Sequence, residues 1–87
     1  MTNWKYRINL KKEWQNAKDG KLTAHELGEI VATKIKKLPV YNSDVDLQYI
    51  ADNFENLGKQ SSFDDFDIEM EDLYNWADYN RCWVATF

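Results

Sequence analysis

The chain has 87 residues, 44% apolar and 30% charged, with three Gly, one Pro and one Cys. This is one domain over residues 1–87, and it excludes disordered, collagen-like, disulfide-stapled and four-thiolate metal-binding chains. Charge is divided unevenly: residues 1–43 hold nine Lys/Arg and four Asp/Glu, residues 44–87 hold two and eleven, for a net −4. No apolar run approaches the roughly 20 residues that cross a bilayer. The opening MTNWKYRINLKK has no hydrophobic signal core, which predicts a protein made and kept in a cytosol, away from membranes.

Trp4, Tyr6 and Ile8 alternate with Lys5, Arg7 and Asn9, so a half-buried strand is predicted over 3–8. Asn9 then caps a short helix with Leu10, Trp14 and Ala17 on one face, stopping near Asp19-Gly20. Thr23 and Glu26 form a capping box for a second helix over about 24–37. Leu27, Ile30, Val31, Ile35 and Leu38 keep its inner spacing until Pro39 ends the run. Ser43 is expected to cap a third helix, with Asp44 and Asp46 in the dipole-favoured first turn. Its stripe is Leu47, Ile50, Ala51, Phe54 and Leu57, with Gly58 in the terminating left-handed position. Lys59-Gln60-Ser61 reads as a loop. Ser62 is expected to cap a fourth helix with Phe63, Phe66, Met70, Leu73 and Ala77 inward, and Cys82–Phe87 has strand composition. Pairing the two end strands satisfies backbone groups that a lone edge leaves open. The fold expected is therefore α+β, a small four-helix domain with its N- and C-terminal strands paired antiparallel.

Few residues suit catalysis. Nucleophilic chemistry needs a nucleophile beside a base, and the sole candidates are Cys82, in an apolar strand, and His25, at a helix start. Both residues have simple structural explanations, a small buried hydrophobe and an exposed polar residue. Gly20, Gly28 and Gly58 stand too far apart for a phosphate loop. Asp65, Asp67, Glu69 and Glu71 alternate like a calcium loop, but Met70 replaces its sixth-position Gly and Trp76 its twelfth-position Glu. LTAHELGEIVA looks like the first half of a helix-turn-helix. The would-be recognition helix, however, carries Asp44, Asp46, Asp52 and Glu55 without a cation in its body, and DNA affinity comes from cations on phosphates. The reading is a non-enzymatic protein with no cofactor, no metal and no direct nucleic-acid contact.

What remains is the acidic fourth helix. Residues 63–78 contain Asp64, Asp65, Asp67, Glu69, Glu71, Asp72 and Asp78 and no base. At about 100° per residue, Asp64, Asp67, Glu71, Asn75 and Asp78 form one row about 21 Å long, with Asp65 and Asp72 in a second. Like charges so spaced repel by about 0.2–0.5 kcal/mol per pair. Charge blocks commonly serve solvation. The sharper reading is a docking surface, in which carboxylates occupy the places of phosphates on a basic, nucleic-acid-binding partner. Tyr74, Tyr79 and Trp76 flank the inner stripe as candidate anchors, with Trp76 assigned to the core.

WKYRINL, LTAHELG and LYNWADYNRCWVATF together resemble short, uncharacterised bacterial and phage proteins over most of the chain. In size and charge the chain is similar to phage-encoded anti-CRISPR inhibitors, a resemblance that implies binding to nucleic-acid machinery. The expected function is thus an acidic inhibitor whose contacts are Asp64, Asp65, Asp67, Glu71, Asp72, Tyr74 and Asp78. The alternative is an antitoxin-like or self-associating subunit, a homodimer in which the basic half meets a neighbour's acidic half.

Overall fold

The computed structural model describes residues 3–60 and 62–87. In chain order it contains strand β1 (Tyr6–Asn9), helices α1 (Lys11–Lys18) and α2 (Ala24–Lys36), and a 3-10 turn at Tyr41–Ser43. Helices α3 (Val45–Lys59) and α4 (Phe66–Asn80) and strand β2 (Cys82–Ala85) follow. The small α+β domain expected from the sequence is present, with four helices and a two-stranded sheet.

Local chemistry sets the helix starts. The Thr23 hydroxyl accepts the Glu26 N–H at 3.1 Å, and the Glu26 carboxylate accepts the Thr23 N–H at 3.0 Å. That capping box satisfies two donors that a helix end otherwise leaves open. Asp44, and not Ser43, caps α3 by accepting the Leu47 N–H at 3.0 Å. Ser43 is spent on the 3-10 turn after Pro39, where its hydroxyl donates to Val40 O. Leu10 takes the cap position of α1, and Asn9 supports it by accepting the Lys11 N–H at 3.1 Å. Helix α1 ends at Asp19-Gly20 as expected, with Gly20 at φ 77°.

Gly58 does not terminate α3. The helix runs on to Lys59, and Gly58 lies buried within it against Gly28 of α2. A Cβ at Gly28 would stand 2.4 Å from Phe54 O and 3.0 Å from Gly58 Cα. The glycine pair therefore lets two backbones approach more closely than any side chain permits. Lys59 and Gln60, expected in a loop, finish this helix, and Ser61 lies outside the described residues.

Helix α4 begins later than the spacing implied. Asp65 is its cap residue, without a side-chain capping bond, and the Ser62 hydroxyl instead accepts the Asp64 N–H in the preceding turn. Phe63 is consequently not an inward helical residue: it is 44% exposed and leans on Phe66 at 5.6 Å between ring centroids. Phe66 itself is buried between Phe54, at 5.9 Å, and Trp14, at 6.3 Å. Ile8, Leu10, Leu27, Val31, Ile35, Leu47 and Leu73 complete the most deeply buried set.

The strands are parallel, with Tyr6 opposite Cys82 and Asn9 opposite Ala85, and this overturns the antiparallel pairing. The reason lies in α4. Arg81 adopts the left-handed conformation (φ 55°), and the chain turns back, so that the Tyr74 hydroxyl meets Thr86 Oγ1 at 3.1 Å. Strand β2 thus runs from the C-terminal end of α4 toward its start. Strand β1 runs the same way, because Lys5 N–H donates to Arg81 O at 2.7 Å while Trp14, beyond its other end, packs on Phe66. Two strands descending the same helix are necessarily parallel, and the helices between them supply the long crossover such pairing requires.

Candidate functional site

Helix α4 buries Phe66, Met70, Leu73, Trp76 and Ala77 and turns its remaining residues outward. Asp67, Glu71, Asp72 and Asp78 are exposed on it, and Asp64 and Asp65 are exposed in the turn before it. The row therefore does not span one continuous helix. Its helical part, Asp67 to Asp78, covers about 16 Å at 1.5 Å per residue. Among the described residues none of these six carboxylates belongs to an ion pair.

The basic half is partly committed elsewhere. Lys34 donates to Glu13 at 2.8 Å and to Asn9 O at 2.7 Å, and Lys36 pairs with Glu55. These contacts join α2 to α1 and to α3. Arg7 and Lys11 both stand over the Trp83 ring, at 5.6 and 5.4 Å from its centroid. Lys18 shares a shallow depression with Asp67, Glu71, Tyr74 and Phe87, without pairing to either acid among the described residues. Glu69 is half-buried beside these acids. Burial, then the nearby Asp72 and Asp65 carboxylates, push it above the ordinary glutamate range, against the hydrogen bond it accepts from Asn53.

The aromatic candidates divide. Trp76 is core, 7% exposed, and its indole N–H donates to Asp44 Oδ2 at 2.7 Å. Tyr74 is half-buried, with its hydroxyl engaged by Thr86. Tyr79 is free, 93% exposed.

One arrangement escaped the sequence reading. Asp44, Asp46, Tyr49 and Ile50 of the α3 start face Asp72, Asn75, Trp76, Tyr79 and Asn80 across an open groove of about 660 Å³. Asp46 and Tyr49 are exposed alongside Asp72 and Tyr79. In the sequence, Asp44 and Asp46 suggested only helix-dipole acids. The signal that could have found them is the i, i+4, i+7, i+11 spacing of Ile68, Asp72, Asn75 and Tyr79, a second outward stripe on α4.

The nucleophile and base candidates occupy different surroundings. His25 is exposed on the first turn of α2 beside Glu29, and Cys82 is buried in β2. Burial pushes the Cys82 thiol up to about 11, far from the thiolate that nucleophilic chemistry uses. Among the described residues no three His, Cys, Asp or Glu side chains gather as a metal site, and no helix is long and apolar enough to cross a membrane. Comparison of the chain with known protein families, curated proteins and solved structures finds no match.

Proposed function

We propose that this chain is a non-enzymatic binding protein that lays its acidic face on a basic surface of another protein, acting in the cytoplasm of a bacterial cell. The partner surface is one built to hold nucleic acid, which makes the chain an inhibitor of the anti-CRISPR kind. The observation that carries this reading is the unpaired exposure of Asp64, Asp65, Asp67, Glu71, Asp72 and Asp78. Self-repulsion along α4 costs stability that solvation alone does not require, and a cationic partner converts the repulsion into attraction. Carboxylates three or four residues apart on a helix are about 5–6 Å apart, near the spacing of backbone phosphates. A clustered field of one sign also accelerates encounter with a basic partner, an effect that salt weakens.

Affinity capture from host lysate, with and without Asp67→Lys and Glu71→Lys together, tests the reading. Wild-type protein retains a basic, nucleic-acid-binding partner, and the charge-reversed protein, with unchanged circular dichroism, loses it. Equal capture by both removes the acidic face from the mechanism.

The Arg7 and Lys11 patch over Trp83 favours a second reading, self-association of the basic half of one chain with the acidic half of another. That reading expects dimers by light scattering that dissociate as salt rises. A monomer at all salt concentrations disposes of it.

A further inference from the structure

We propose that the groove between the start of α3 and the second half of α4 receives an arginine side chain presented by the basic partner. This inference rests on the docking role above and names the part of the surface that reads the partner. Three observations meet at the groove. Its volume, about 660 Å³, falls in the range of roughly 300–1,000 Å³ typical of ligand sites. Its lining is aromatic and acidic together: Tyr49, Tyr79 and Trp76 with Asp44, Asp46 and Asp72, and no Lys, Arg or His. Its tyrosines are 68% and 93% exposed, large apolar surfaces left in water on the two facing helices.

An acidic patch alone would take any cation, and an aromatic patch alone any apolar group. Their combination selects arginine. The guanidinium is planar, stacks on aromatic faces and offers a fork of N–H donors to carboxylates, whereas lysine brings a compact charge held tightly by water. Cations over an aromatic ring already occur within the chain, where Arg7 Cζ and Lys11 Nζ stand 5.6 and 5.4 Å from the Trp83 ring centroid. The floor of the groove is also fixed in advance. Asp44 is held by the Leu47 N–H and by the Trp76 indole, and the Asn80 amide donates to Trp76 O at 2.9 Å. Lys5 and Arg81 line a separate depression that shares Tyr79 and Asn80 with the groove, and neither lines the groove itself. Charge complementarity therefore calls for a positive group from outside the chain.

The test is a nuclear magnetic resonance titration of the isotope-labelled protein with the capped peptide Gly-Arg-Arg-Gly. Its counterparts with lysine and with the neutral isostere citrulline serve as comparisons. The Trp76 indole N–H, bonded to Asp44 at the groove floor, is the reporter. The arginine peptide shifts that signal, the lysine peptide binds more weakly, and the citrulline peptide leaves it unmoved. Tyr79→Ala and Tyr49→Ala, both at exposed positions that the fold does not depend on, weaken arginine binding by about two- to thirtyfold, the span of cation–π energies. Asp52→Asn, an exposed acid of α3 outside both the groove lining and the docking row, leaves it within about twofold. Peptide binding that follows Asp67 and Glu71 and ignores both tyrosines overturns the groove assignment while the docking role stands. An arginine peptide that moves no groove signal overturns it too. Failure of the docking role is read separately, from unchanged partner capture by the charge-reversed protein.

Discussion

The Trp76 indole donates to the same Asp44 carboxylate that caps α3, at 2.7 Å, across 32 residues of sequence. One side chain thus starts a helix, satisfies a buried N–H and fixes the groove between α3 and α4. Asp44→Ala removes both bonds. Loss of a helix cap costs about 1 kcal/mol, and an N–H left unpaired costs about 1–3 kcal/mol more. The expected destabilisation is about 2–4 kcal/mol, read from urea midpoints. Asp44→Asn keeps one acceptor oxygen, which serves the Leu47 N–H or the Trp76 indole but not both because its amide nitrogen only donates, and is expected to lose less than alanine does. Equal losses in the two variants would show that charge, and not hydrogen-bond geometry, holds this corner.

The contact between Gly28 and Gly58 sets how closely α2 and α3 pack. A methyl group at Gly28 meets Phe54 O, a backbone atom that cannot swing aside. Gly28→Ala therefore forces the helices apart and is expected to cost at least about 2 kcal/mol, within the range for overpacked cores. Gly20→Ala provides the contrast. Its φ of 77° strains an alanine, but no atom lies within 4 Å of the added carbon. The expected loss there is nearer 1 kcal/mol. Thermal unfolding of both variants gives the comparison, and a larger loss at Gly20 would mean that the helix pair has slack.

These contacts mark how far the sequence could be read. Features fixed by neighbours in the chain were legible: the Thr23–Glu26 capping box, the stripes of α2 and α3, the stop at Gly20 and the burial of Trp76. Strand direction was not, because it depends on where Arg81 returns the chain along α4, a tertiary fact with no local signature. Gly58 was misassigned for a related reason. A glycine near a helix end suits a left-handed stop or a close crossing equally, and only the position of Gly28 decides. The acidic residues of α4 were legible as a class. Their division into an outer row and a groove wall required Asp46 and Tyr49, contributed by a different helix.

Acid stability follows from two glutamates that the fold holds below their ordinary value of 4.5. Burial raises Glu13, but the Lys34 hydrogen bond and its own backbone N–H outweigh that and lower it. Glu26 is lowered by the Thr23 backbone and hydroxyl of the capping box. Both bind a proton less readily when folded. Their contribution is complete above about pH 4.5 and is lost as pH falls through their folded values. Glu69 is raised, so protonation there favours the folded state and offsets part of the loss. Glu13→Gln is expected to cost up to about 1 kcal/mol at pH 7, as partly exposed ion pairs do, and progressively less as pH falls toward 3. Urea midpoints at the two pH values check this, and a cost undiminished at pH 3 would assign Glu13 a packing role.

The like charges of α4 lead to the last expectation. Asp67 and Glu71 lie four residues apart, and neither belongs to an ion pair among the described residues. Glu71→Gln relieves that repulsion and should stabilise the protein by about 0.2–0.5 kcal/mol at low salt. Glu71→Lys turns repulsion into attraction and should stabilise it further, by a similar increment. Raising salt screens the wild-type repulsion, so the gain shrinks toward zero by about 1 M, where the screening length is about 3 Å. A charge block that costs folding stability differs in that respect from an ordinary solvated face. If thermal unfolding at low salt finds Glu71→Gln neutral or destabilising, the acids of α4 impose no cost on the fold. A partner is then not needed to account for them.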